Sequence, residues 1–186
     1  YGRKKENLEA AEELLFDVNI EAEGHEYFQL GGLNVSPDNS LVAFSTDTVS
    51  RRQYTLQIKN LETGEILSDK IENTTGTAHE SDIFAYSENY GKILYEIKTY
   101  SSNVPTKEIQ KFKDDMVTTN SKYGIFVSQT SGIVGKKLID YEVIDNSILV
   151  YISSSGLNGH GIEIGTEFLL SLILLSVDAI TSSIFL

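Results

Sequence analysis

Two carboxylates and one amine stand at a spacing that can do chemistry: Asp82, then Glu96-Ile97-Lys98 after thirteen intervening residues. On a β-strand the period of two puts Glu96 and Lys98 on one face and Ile97 on the other. A hairpin turning near Asn89 brings Asp82 roughly opposite them, so that the three charged groups converge. A carboxylate pair offers the hard oxygen ligands that suit Mg²⁺, an ion that keeps several of its waters. A lysine beside such a pair can orient or help deprotonate an attacking water and offset charge on a pentavalent phosphorus centre.

Other chemistries are excluded by composition. The 186 residues contain no Cys, which removes disulfides, thiolate catalysis and Cys-ligated zinc. The three histidines, His25, His79 and His160, include no pair four residues apart, so no HExxH site exists. No G-x-S-x-G nucleophile elbow occurs. With 15 Lys+Arg against 27 Asp+Glu, the net charge of −12 argues against a general nucleic-acid coat. The exception is local: all eight lysines after residue 77 lie between Lys92 and Lys137, among four acids. Such a cluster suits a nucleic-acid backbone and equally suits a solvated surface.

The elements that must position the three charged groups fall in the second half. Asp82–Tyr86 and Lys92–Lys98 read as a hairpin around the turn at Ser87–Gly91. Thr106 reads as the N-cap of a helix over Lys107–Met116, with Ile109, Phe112 and Met116 on one face. Strands follow at Tyr123–Ser128, Leu138–Val143 and Ser147–Ser153, and a last helix starts near Gly161. This predicts an α/β (α+β) fold over residues 77–186: one central sheet flanked by helices. The apolar run Phe168–Val177 is cut by Asp178 after ten residues, so it reads as a buried helix rather than a bilayer span. No apolar stretch backs the basic residues near Tyr1, and the expected location is cytoplasmic.

Residues 1–76 have a different character. A helix-like run, Glu6–Leu15, precedes short strands at Gly31–Val35, Leu41–Ser45, Arg52–Lys59 and from Glu65, joined by Ser-Pro-Asp-Asn and Glu-Thr-Gly turns. Ala22-Glu-Gly-His-Glu-Tyr27, Val35-Ser-Pro-Asp-Asn39, Asp47-Thr-Val-Ser-Arg-Arg-Gln-Tyr-Thr55 and Lys59-Asn-Leu-Glu-Thr-Gly-Glu65 resemble the N-terminal propeller of oligopeptidase B, in the prolyl oligopeptidase family of serine peptidases. The resemblance implies a partial β-propeller-like segment, about one blade and part of another. That family's catalytic Ser, Asp and His belong to an α/β-hydrolase domain, and none of them maps onto these residues.

From about residue 79 to 175 a second resemblance enters. Asp82 with Glu96-Ile-Lys98, Val104-Pro105, Glu108-Ile-Gln-Lys-Phe-Lys-Asp-Asp115 and Tyr123-Gly-Ile-Phe-Val-Ser-Gln-Thr-Ser-Gly-Ile133 are similar to restriction-endonuclease-like nucleases, whose core motif is D…(D/E)-x-K. This resemblance implies Asp82 and Glu96 as metal ligands, Lys98 as the catalytic amine, Mg²⁺ as cofactor and nucleic acid as partner. The competing expectation is a non-catalytic fragment of a prolyl-oligopeptidase-type peptidase, or a protein-interaction module.

Several residues carry plainer readings. Gln110 and Lys111 are read as exposed helix polar residues, His25 and His160 as local hydrogen-bonding groups, and Tyr95 and Tyr100 as packing residues. Gly159-His-Gly-Ile-Glu-Ile-Gly165 has the wrong spacing for a dinucleotide loop and is read as a turn before the last helix.

Overall fold

A computed structural model describes residues 1–5, 7–50, 52–73 and 83–184, the side chains of 73 and 177–184 excepted. His79, Asp82 and the expected boundary at 76/77 lie outside the described residues. The chain divides into two compact units: Tyr1–Thr75 with Tyr86–Glu88, and Gly76–Ala85 with Asn89–Leu186.

In the first unit, strands β3 (Gln29–Val35), β4 (Leu41–Asp47), β5 (Thr55–Asn60) and β6 (Ile66–Asn73) follow β1 (Gly2–Lys4), β2 (Glu12–Leu14) and the short helix α1 (Val18–Glu21). β3 to β6 form an antiparallel meander, each strand paired with the next. This is the form of one propeller blade; the described residues make no closed ring. On one face, Phe44 meets Phe16 with ring centroids 4.9 Å apart. Leu15 completes that small core, and Phe28, Leu30, Leu33 and Val35 pack around it.

The Glu6–Leu15 run is not a helix. Its later part is β2, paired with β1 and tied by the Arg3–Glu13 ion pair at 2.9 Å. Glu, Ala and Leu are good helix formers, but propensity is a weak prior that tertiary pairing overrides, here the pairing of β2 with β1. The extended path instead delivers Leu15 and Phe16 to the core.

Two turns quoted above have clear physical causes. Asp38 sits between Ser36 and Ser40, whose hydroxyls donate to its carboxylate at 2.6 and 2.8 Å and hold its pKa down at about 2. After β4, the buried Asp47 carboxylate accepts the N–H groups of Val49, Ser50 and Arg52 at 2.9, 3.0 and 2.8 Å. It thereby stabilises a turn in which Ser50 and Arg52 take φ of +62° and +57°.

The second unit contains β7 (Ile83–Ser87, shared with the first), β8 (Gly91–Lys98), α2 (Thr106–Thr118), β9 (Tyr123–Ser128), β10 (Ile139–Ile144), β11 (Ser147–Ile152) and α3 (His160–Ile184). The strands lie in the order β10-β11-β9-β8-β7. β8 and β9 are parallel, as are β9 and β11, while β10 and β11 form an antiparallel hairpin. The β8-α2-β9 crossover puts α2 on one face of this sheet. Tyr123, Ile125 and Val127 turn to the other face and pack with Leu169 and Ile173 of α3. The expected strands and helices are therefore present as a mixed α/β unit. No described helix is long and apolar enough to cross a membrane.

The start of α2 differs from expectation. Pro105, with φ −75° and ψ 157°, is the cap residue, and Thr106 is already the first helical position. The Pro105 carbonyl accepts the Glu108 N–H at 3.0 Å, so no side-chain cap is needed.

Glu142 of β10 pins this face together. It pairs with Lys113 of α2 at 2.6 Å, with Lys136, and with the Tyr151 hydroxyl at 3.0 Å. Burial pushes its carboxyl up, but the bonds from Lys113, Lys136 and Tyr151 outweigh this and hold it at about 2. A depressed carboxylate contributes stability that is present above the ordinary glutamate range and lost as pH falls towards about 2. Glu142→Gln is therefore expected to lower the urea midpoint at pH 7 and to narrow its gap to wild type as the titration proceeds from about pH 5 to 2.

Candidate functional site

Side-chain alternation along β8 decides the site. Leu94, Glu96 and Lys98 turn to the α2 face, and Ile93, Tyr95 and Ile97 to the α3 face. The strand lies between β7 and β9, with Glu96 opposite Phe126 and Lys98 opposite Ser128. Glu96 is consequently only 1% exposed. A carboxylate so placed requires a positive partner.

Helix α2 comes close because of Gly124. A Cβ there would lie 2.5 Å from Met116 Sδ and 2.7 Å from Phe112 Cζ. Ile109, Phe112 and Met116 form the expected buried stripe. Beside it, at the same i, i+3, i+7 spacing, Glu108, Lys111 and Asp115 form a charged stripe directed at β8.

The two stripes and the strand produce an alternating chain of charge. Lys98 Nζ is ion-paired with Glu96 and lies 3.6 Å from Glu108 Oε2. Lys111 Nζ lies 3.9 Å from Glu96 Oε1 and 3.5 Å from Asp115 Oδ2. Asp115 is fully buried, while Lys111 and Lys98 keep part of their stems in solvent.

Of the three expected site residues, Glu96 and Lys98 meet; Asp82 lies outside the described residues. Lys111 is not the exposed helix residue it was read to be: its ammonium joins the cluster. Gln110 does face outward, donating to Asp114 at 2.9 Å. Glu108, Lys111 and Asp115 were missed as site residues. Their signal was available as a second stripe next to the apolar one. The plainer readings of His160 and Tyr95 hold: His160 bonds Glu163 at 3.2 Å, and the buried Tyr95 hydroxyl contacts Thr166 at 3.1 Å. The His25 ring instead lies against Phe28.

Chemically, the cluster alternates three carboxylates with two ammoniums in the order Glu108, Lys98, Glu96, Lys111, Asp115. Among the described residues, no three His, Cys, Asp or Glu groups are arranged to hold a metal ion.

Comparison with known proteins places the hairpin that carries Glu96 and Lys98. The description "Prolyl oligopeptidase, N-terminal beta-propeller domain" matches residues 1–105. The chain belongs to this family. Among curated relatives, "Dipeptidyl aminopeptidase BI" of Pseudoxanthomonas mexicana is 48% identical over 64 residues, 34% of this chain and 9% of the relative. "Protease 2" of Moraxella lacunata is 35% identical over 65 residues, 35% of this chain and 9% of the relative. The chain thus spans about a tenth of the length of these curated relatives. The propeller-family match runs past β6 to include β7 and β8. The expected likeness to restriction-endonuclease-like nucleases finds no support in these relatives.

Breaking a buried ion pair by removing one partner strands the other charge. Lys98→Met is expected to destabilise the chain by roughly 3 kcal/mol. The double variant Glu96→Leu/Lys98→Met is expected to recover most of that loss, as read from urea unfolding.

Proposed function

We propose that residues 1–105 serve as a non-catalytic propeller segment of a prolyl-oligopeptidase-type serine peptidase, a sheet scaffold for contact with protein. The observation that carries this reading is the four-stranded meander β3–β6, which has a blade's form inside the region matched by the propeller family. Acyl-transfer chemistry needs an activated nucleophile with an oxyanion hole, and the 186 residues contain no nucleophile elbow. Incubation with a fluorophosphonate serine-hydrolase probe is expected to leave the chain unlabelled and without peptidase activity. Stoichiometric labelling of any serine would overturn the reading.

A second reading starts from Glu96 and Lys98, which meet on one face of β8 as the E-x-K spacing requires. In it, Asp82 and Glu96 would hold Mg²⁺ and Lys98 would serve hydrolysis of a nucleic-acid phosphodiester. The described residues do not make a Mg²⁺ site on their own, because Glu96 is engaged by two lysines and no third carboxylate is arranged with it. This reading therefore depends on Asp82. Plasmid nicking in Mg²⁺ is its test: Lys98→Ala is expected to slow it about a hundredfold. Equal rates, or no heat of Mg²⁺ or Mn²⁺ binding by calorimetry, would remove it.

A further inference from the structure

Among the described residues, the β10–β11 hairpin leaves β10 at the end of the sheet order, with β11 as its neighbour on one side. The register tells which backbone groups point away from β11. Ile139 is opposite Ile152, and the Ser153 N–H donates to the Leu138 carbonyl at 2.8 Å. In an antiparallel pair, bonded and non-bonded positions alternate. The pairs bonded within the hairpin are then Asp140–Tyr151, Glu142–Leu149 and Ile144–Ser147. Ile139, Tyr141 and Val143 turn their N–H and C=O groups outward.

The same three residues expose apolar side chains on one face: 42% for Ile139, 48% for Tyr141 and 64% for Val143. This edge is complementary to itself. About a two-fold axis through Tyr141, Ile139 of one copy stands opposite Val143 of the other and Tyr141 opposite Tyr141, each ring resting on Phe168 of its own α3 with centroids 6.0 Å apart. A row of outward backbone groups flanked by apolar side chains is a template for strand pairing unless something blunts it.

Asp140 lies on the other face, between these residues, and turns back onto the edge. Its Oδ1 accepts the Tyr141 N–H at 3.0 Å, and its Oδ2 accepts the Lys137 N–H at 3.2 Å. The central donor of the outward row is therefore already held by the chain's own carboxylate. Pairing about Tyr141 would also set that carboxylate opposite Glu142 of the other copy, like charge against like.

We propose that Asp140 guards the β10 edge and keeps a second copy of this chain from adding to the sheet. Its removal opens the edge to an antiparallel dimer.

Sedimentation velocity on the full 186-residue chain tests this, with circular dichroism as a check on folding. Asp140→Ala is expected to double the mass at tens of micromolar protein, whereas Asp140→Asn, which retains an acceptor oxygen, is expected to match wild type. Asp140→Val, a better strand former, carries the same expectation as alanine should that variant unfold. Adding Val143→Pro to Asp140→Ala is expected to restore the wild-type mass. Proline removes an outward N–H that the hairpin itself does not use. Wild-type mass for every Asp140 variant would overturn the proposal. So would a doubled mass for Asp140→Asn, a dimer that survives Val143→Pro, or a wild-type dimer that Val143→Pro dissolves.

Discussion

A carboxylate withdrawn from water must be met by positive charge, or its burial costs more than a small domain can offset. Glu96 on β8 is such a group, and the second unit is arranged around that requirement. Lys98, two residues along on the same face, supplies one ammonium. Lys111 supplies another from α2, and it can do so only if the helix stands close to the sheet in one rotational setting. Gly124 permits the approach by presenting no side chain beneath Met116 and Phe112. The buried stripe Ile109–Phe112–Met116 and the charged stripe Glu108–Lys111–Asp115 then fix the same helix rotation by two independent means. Ion pairing at this depth adds little net stability over a well-packed apolar alternative.

The first unit meets a different constraint. A four-stranded meander has two faces, and one blade can cover only part of them from its own sequence. Leu15 and Phe16 are brought over Phe44 by the extended N-terminal path, Phe28 joins them from just before β3, and this small aromatic core covers one face. Membership of the propeller family accounts for the blade form. The turns that carry the family likeness are also the ones with the clearest local physics. Asp38 gathers two serine hydroxyls, and Asp47 gathers three backbone N–H groups.

Most strands and both long helices were legible because their signals are local. Alternation marks β5, a near-continuous apolar run marks β11, and the i, i+3, i+7 stripe marks α2. The Asp145-Asn146 hairpin turn, with φ of +47° and +66°, uses residue types that tolerate that region. The errors share a cause. Glu6–Leu15 has the composition of a helix but finds its partner in β1, and propensity yields to pairing. Thr106 is a good capping type, yet the preceding proline already supplies the extended residue from which the helix starts. Lys111 looked solvated because a sequence does not say what lies across from a helix face.

By itself the sequence determined the order of elements from β3 onward, the absence of thiol and nucleophile-elbow chemistry, and the pairing of Glu96 with Lys98 on one side of a strand. Each of these depends on residue identity or on a separation of a few residues, where backbone periodicity is sufficient. The tertiary structure alone decided that Glu96 is buried, that Lys111 reaches it while Glu108 meets Lys98 and Asp115 meets Lys111, and that Asp140 covers the β10 edge. Those facts depend on which segments, distant along the chain, come within a few ångströms of one another, and local periodicity carries no information about that.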